Sequence, residues 1–290
     1  MLRIGVVGDV HGQFDAIDAR LLDAHGYDLL LFVGDFAGYR QSEALRVAEA
    51  MRGLRTPAIA IPGNHDGVTA VQLLSEVLPG TGAARELLAL GQDRRCARIA
   101  RALGPIPCEG YRLFVRRDLG VQILTARPHS CGGPRLAFAR HLRARYGVGT
   151  FEESAARMLS LLDGADPSLP IVVLAHNGPT GLGMARDSIY GCDFKASEGD
   201  FGDPDLRLFL DRARARGHTI SAVVAGHMHH TLKGGGTRTW QVREGATLHV
   251  NAARFPRYER RDGAHVAHHV CILLEGESVT ADSVFDVREG

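Results

Sequence analysis

Five times along this chain of 290 residues, a short apolar run breaks off at a cluster of Asp, His or Asn. Residues 2–7 lead into Gly8-Asp9-Val10-His11-Gly12, and residues 28–33 into Gly34-Asp35-Phe36. Ala58-Ile59-Ala60-Ile61 leads into Pro62-Gly63-Asn64-His65-Asp66. Residues 171–175 end in His176-Asn177-Gly178-Pro179, and residues 220–225 in Gly226-His227-Met228-His229. Such runs have the length of strands rather than helices. Between the early ones lie segments with apolar residues at helix-face spacing: Phe14, Ile17, Leu21 and Leu22, then Ala44, Leu45, Val47, Ala48 and Met51. Strand, polar turn and helix in repetition predict a parallel sheet of βα units. In open α/β sheets the carboxyl ends of neighbouring strands share one edge, where ligands bind. Side chains scattered from Asp9 to His229 can therefore meet in one cleft.

Each cluster alone has a plainer explanation. Asn, His and Asp after Gly63 suit a tight turn, Asp9 and Asp35 suit helix N-caps, and exposed histidines are common. None of these explains polar clusters at all five strand ends. The donor types are imidazole nitrogens with Asp and Asn oxygens, a mixture that favours Mn, Fe or Zn over Ca. The seven groups Asp9, His11, Asp35, Asn64 or His65, His176, His227 and His229 are too many for one ion and suit two ions sharing a bridging carboxylate. His25, His141, His218, His265, His268 and His269 have no strand-end position and are expected to be structural or solvated.

The rest of the chain frames this site. Residues 69–110 hold two helix-like stretches (70–78 and 82–103) and no strand, as a helical insertion would. A hairpin-like pair follows at 111–115 and 121–125. Residues 135–146 and 150–163 read as helices, the second with a capping box from Thr150 and Glu153. Residues 180–204 form a long Gly/Asp-rich loop, a candidate lid, before a helix at 206–216. The tail, 238–286, alternates as antiparallel strands do. One domain spanning 1–290 is the expected organisation.

Apolar content of 45% and a charged fraction of 23% fit a globular protein. No stretch reaches the roughly 18 apolar residues of a membrane span, and the first residues lack a signal-peptide pattern. Five cysteines without Cys-x-x-Cys argue against a disulfide framework and a thiolate metal site. Together these features predict a cytoplasmic protein. Net charge of +1 argues against a nucleic-acid partner. Thirty-two of the 34 basic residues are Arg, a compositional habit, so runs such as Arg94-Arg95 read as solvated faces.

Asp9-x-His11, Gly34-Asp35, Gly63-Asn64-His65-Asp66, His176 and Gly226-His227-x-His229 resemble, in order, the five-block signature of the calcineurin-like metallophosphoesterases. The resemblance implies an α/β fold of four layers, a two-sheet β-sandwich core flanked by helices. It assigns Asp9, His11, Asp35 and His229 to one metal ion. Asp35, Asn64, His176 and His227 go to the other, with Mn the first choice and Fe or Zn alternatives. Two ions about 3.5–4 Å apart would share a water, lower its pKa toward about 7 and clamp a phosphoryl group for in-line attack by the bridging hydroxide. His65 would protonate the leaving oxygen or stabilise the transition state, with Asp66 orienting it and keeping it protonated.

The implied activity is a metal-dependent phosphatase or phosphodiesterase acting on a small phosphorylated substrate. The alternatives are a non-catalytic protein-binding member, which typically lacks ligands that are all present here, and a nuclease. Gly34-Asp35-Phe36 and Asp66 depart from the Ser/Thr protein phosphatase branch, which has Asp-Arg-Gly after the second block and Glu in place of Asp66. The segments 175–183, 202–206, 226–230 and 251–253 resemble an uncharacterised branch of cyanobacteria and plant plastids. Asn177, Arg127 and Arg254 are the leading candidates for contact with an anionic substrate, with His129, Arg186 and Lys195 in loops of similar reach.

Overall fold

The computed structural model describes residues 1–78 and 82–289. Its strands are β1 (Leu2–Val7), β2 (Leu29–Phe32), β3 (Ala58–Ala60), β4 (Arg112–Arg116), β5 (Val121–Thr125), β6 (Ile171–Leu174), β7 (Ile220–Ala225), β8 (Gln241–Glu244), β9 (Thr247–Asn251), β10 (Tyr258–Arg261), β11 (Ala264–Glu275) and β12 (Ser278–Val287). The helices are α1 (Ala16–Ala24), α2 (Gln41–Met51), α3 (Ala70–Val77), α4 (Gly82–Leu88), α5 (Gln92–Leu103), α6 (Ala139–Tyr146), α7 (Phe151–Leu161) and α8 (Pro204–Ala215). The helical stretch expected over 82–103 is broken at Gly91, which adopts φ 79° between α4 and α5. Residues 79–81 of the expected insertion, and residue 290, lie outside the described residues. Thr150 and Glu153 form the capping box read from the sequence.

The strands divide between two mixed sheets. One runs β10-β11-β1-β2-β3 with β12 on β11, and the other β4-β5-β6-β7-β9-β8. Within them β1, β2 and β3 are mutually parallel, as are β5, β6, β7 and β9. The single parallel sheet suggested by βα alternation is thus two sheets packed face to face, as the family resemblance implied. The reason lies in the alternation of side chains along each strand. Val6, Leu29 and Leu31 meet Ile123, Val172 and Val224 in a core between the sheets. Their neighbours Val7, Leu30 and Phe32 pack outward on Leu22, Val47, Met51, Ile99 and Leu103 of α1, α2 and α5. Val173 and Val223 pack outward on Met158 of α7 and Phe209 of α8. Strands buried on both faces read as unbroken apolar runs, each buried Leu, Ile, Val or Phe contributing about 1.5–3 kcal/mol.

The tail departs from the expected antiparallel pattern. β10, β11 and β12 form antiparallel pairs, but β9 inserts beside β7 and runs parallel to it. All five residues of β9 are buried, so it belongs inside a sheet and leaves β8 as the edge. No helix among the described residues is long and apolar enough to cross a membrane.

Candidate metal centre

The five polar clusters follow the carboxyl ends of β1, β2, β3, β6 and β7, and face-to-face packing brings both sets of strand ends to one edge. The backbone there is bent in a way side chains resist. Asp9, His11, Asp35 and His227 take φ of 23°, 42°, 52° and 66°. These are four of the eight non-glycine residues of positive φ among the described residues, so strain is concentrated where chemistry is expected. Asp9 and Asp35 cap no helix. Asp15 caps α1, and Glu43 takes the amides of Gly38, Tyr39 and Arg40 ahead of α2. Instead, His227 N–H donates to Asp9 Oδ1 at 3.0 Å and His65 N–H to Asp35 Oδ1 at 2.9 Å, fixing the two carboxylates.

Two ligand groups form among the seven residues, and His65 shares a third with His11 and Asp35. Asp9, His11 and His229 make the first: His229 Nε2 lies 3.2 Å from both Asp9 Oδ2 and His11 Nε2. Asp35, His176 and His227 belong to the second, joined by Asn64, whose Oδ1 is 2.7 Å from His176 Nε2 and 3.0 Å from His227 Nδ1. Asp35 connects them, with Oδ1 3.6 Å from His176 Nε2 and Oδ2 3.7 Å from His11 Nε2. The structure therefore brings all seven predicted residues together.

The donor atoms fit cations. His11 Nδ1 lies 3.1 Å from the Ala37 carbonyl, His176 Nδ1 2.7 Å from that of Val33, and His227 Nε2 3.0 Å from that of Cys131. Each of those nitrogens must carry the proton to satisfy its carbonyl, which in the neutral ring leaves the other as a lone pair pointing into the cluster. His176 Nε2 and His227 Nδ1 thus converge on the Asn64 carbonyl oxygen, an arrangement that is favourable only when positive charge, a proton or a cation, sits among them. Carbonyl partners of this kind orient metal-bound histidines. Burial, reinforced by His176, pushes His227 down to about 3, so its ring is neutral near pH 7. Burial also lowers His176, but Asp35 and Asp9 outweigh it and raise the group. Asp9, whose burial would raise it, is held well below the ordinary carboxylate range by His229. Two buried carboxylates thus draw positive charge onto the rings around them.

His65 sits at the rim with its Nδ1 on the Gly38 carbonyl and its ring edge-on to His11 and Tyr39, centroids 5.0 and 5.7 Å apart. Its carbonyl partner, not Asp66, orients it, which corrects the role expected for that carboxylate. Asp66 is buried and accepts from Phe36 N at 2.8 Å, Ala37 N at 3.3 Å and Gly63 N at 2.9 Å. It therefore ties the β2 and β3 loops together. Gly63 is also needed for a different reason from the one expected: its φ is not positive. A Cβ there would lie 2.2 Å from Asp35 Oδ1 and 2.7 Å from His176 Cε1.

The candidate substrate contacts do not converge in the same way. Arg127 is buried and paired with Asp203 at 2.8 Å and with Asp205 at 2.8 Å, so its charge is already matched. Arg254 pairs with Glu259 at 2.9 Å, and buried Asn177 donates to the Phe201 carbonyl at 2.9 Å. Lys195 pairs with Glu198, and Arg186 donates to the carbonyls of Lys233 and Gly235. The 180–204 loop is held to the body by Arg238, whose Nη1 donates to the Arg186 and Ser188 carbonyls at 3.0 and 2.9 Å. Phe255, absent from the sequence-based set, lies against both His11 and His229, with centroids 4.8 and 5.0 Å away. Only its position next to Arg254 hinted at this. A concavity of about 950 Å³ opens at the opposite strand edge, lined by Asp28, Asp118, Leu169 and others, but it gathers no metal-ligand group among the described residues.

In fold the chain is similar to the protein TT1561 of Thermus thermophilus, with a TM-score of 0.54 and 11% identity over 97% of this chain and 98% of that one. It is also similar to a dimetal phosphatase from Danio rerio, with a TM-score of 0.52 and 10% identity over 99% of each chain. No curated protein matches it in sequence. The calcineurin-like phosphoesterase family matches residues 2–231, the stretch that carries all five strand-end clusters. The chain belongs to the calcineurin-like phosphoesterase family.

Proposed function

We propose that this protein is a two-metal phosphoesterase that hydrolyses a phosphomonoester or phosphodiester of a small molecule, with residues 1–290 acting as one catalytic unit. The observation that carries the reading is Asp35, whose two oxygens face separate ligand groups, 3.6 Å from His176 and 3.7 Å from His11. Asp9, His11, Asp35 and His229 would hold one ion, and Asp35, Asn64, His176 and His227 the other. Mn is the first choice, with Fe and Zn the alternatives for a nitrogen–oxygen donor set. When bound, two such ions supply Lewis acidity toward a phosphoryl group and an attacking water.

The chain's own part is positioning and proton transfer. Phe255 packs on His11 and His229 and restricts their rings. The backbone amides of His65 and His227 hold the carboxylates in place before substrate arrives. His65, with Nδ1 committed to Gly38, has Nε2 left to hold a proton for the leaving oxygen or to stabilise charge on the phosphoryl group. The resemblance of residues 175–183 to a plastid and cyanobacterial branch adds no substrate to this reading.

The test is a panel of phosphomonoesters, phosphodiesters and nucleotides assayed with Mn, Fe, Zn and Mg. Metal-dependent hydrolysis is expected, with His65→Ala losing about 10²–10⁴-fold in turnover while retaining bound metal. Absence of hydrolysis with every metal would favour a protein-binding role. Loss of metal from His65→Ala at unchanged activity per ion would remove His65 from the chemistry.

A further inference from the structure

Behind the loop of Asn64 and His65 lies a cluster of another composition. Cys96 of α5, His129 in the connection after β5 and His141 of α6 each place one ligand atom within 4.8 Å of the other two. Cys96 Sγ is 3.8 Å from His129 Nε2. The two imidazoles meet edge to face, with centroids 5.0 Å apart and planes at 86°. Both rings are buried, His129 at 1% exposure and His141 at 5%. His129 Nδ1 donates to the Gly63 carbonyl at 2.9 Å, and Asp93 Oδ1 lies 2.7 Å from His141 Nδ1. His129, whose Nδ1–H goes to that carbonyl, presents Nε2 as a lone pair, which is how outer partners orient metal-bound histidines.

We propose that Cys96, His129 and His141 form a third metal site, for one zinc-type ion, distinct from the paired site at the strand ends. Zn–S near 2.3 Å and Zn–N of about 2.0–2.1 Å at a tetrahedral angle separate sulfur from nitrogen by about 3.6 Å. The Cys96–His129 separation of 3.8 Å matches this closely. A thiolate with imidazoles selects zinc over magnesium, calcium or manganese, which prefer oxygen. The fourth position goes to water, as in zinc sites with three protein ligands. Binding converts the Cys96 thiol to thiolate and releases its proton to solvent.

The consequence is mechanical. Cys96 Sγ lies 3.9 Å from the Asp66 carbonyl, and a Cβ on Gly67 would come within 2.4 Å of that sulfur. His129 grips the other end of the same loop through Gly63. An ion held by these three residues pins α5 and α6 to the loop that presents Asn64 and His65. By contrast, His25 and His269 each pair with Asp286, and Tyr27 takes the second nitrogen of His269.

The experiment uses the full chain loaded with Co²⁺, because a thiolate bound to cobalt gives a charge-transfer absorption that carboxylate, amide and imidazole ligands do not. The band is expected in the wild type and absent in Cys96→Ser, together with loss of one metal equivalent. In the wild type, zinc is also expected to protect Cys96 from alkylation, mapped by mass spectrometry, which decides the matter if the variant fails to fold. A cobalt-loaded wild type without the band, a band that persists in Cys96→Ser, or equal alkylation with and without zinc would overturn the proposal. None of these readouts depends on phosphoesterase activity, so this site and the paired site stand or fall separately.

Discussion

Replacing Gly63 with Ala tests the paired site at its tightest point. The new Cβ would stand 2.2 Å from Asp35 Oδ1, 2.4 Å from Asp35 N and 2.7 Å from His176 Cε1, where ordinary contact begins at 3.4 Å. To move from 2.2 to 3.4 Å, the Asp35 oxygen must retreat by about 1.2 Å. It cannot do so freely, because the same oxygen accepts from His65 N at 2.9 Å and Asp35 is buried. Overpacking of this kind costs about 1–3 kcal/mol of stability. Misplacement of a reacting group by about 1 Å costs on the order of 10²-fold in rate. Gly63→Ala should therefore lose about 10²-fold in hydrolysis of an aryl phosphate at saturating Mn²⁺ and bind metal more weakly. Gly164→Ala, whose Cβ would meet nothing within 4 Å, serves as the control. A Gly63→Ala protein with metal content and turnover within about twofold of wild type, against the 10²-fold expected, would show that the carboxylate bridge is not rigidly set.

Three further outcomes follow from buried groups. Arg127→Met leaves Asp203 and Asp205 buried without their cation and should cost about 3–5 kcal/mol in urea unfolding. A raised KM at unchanged stability would instead restore Arg127 to substrate binding. Asp66→Asn places an NH₂ among three backbone donors and should cost about 1–3 kcal/mol, read by thermal unfolding; unchanged stability would mean that Asp66 does not hold the loop. Burial pushes His230 and His249 down to about 4 from the ordinary 6.5. Their unfolded rings take protons near 6.5 and their folded rings only near 4, so stability present above 6.5 is lost as pH falls through that window. At about 1.4 kcal/mol per unit, each ring contributes roughly 3 kcal/mol. His249→Gln should flatten the stability–pH curve there, and an unchanged slope would refute the assignment.

The sequence by itself determined the elements that carry the site. Apolar runs of strand length, ending at Asp9, Asp35, Asn64, His176 and His227, are local patterns, and a strand buried on both faces has few other ways to be written. The cap of α7 and the hairpin of β4 and β5 are equally local. Tertiary structure decided what depends on partners distant in the chain. β9 reads like any alternating tail strand until it lies beside β7. Asp66 is next to His65 in sequence but spends its oxygens on Phe36, Ala37 and Gly63. Arg127 resembles a free loop cation until Asp203 and Asp205 close on it. Cysteine spacing argued against a thiolate metal site, because spacing describes only ligands that are neighbours in the chain. Cys96, His129 and His141 lie on separate elements, and only the packing of α5 and α6 behind the Gly63 loop brings their donor atoms together.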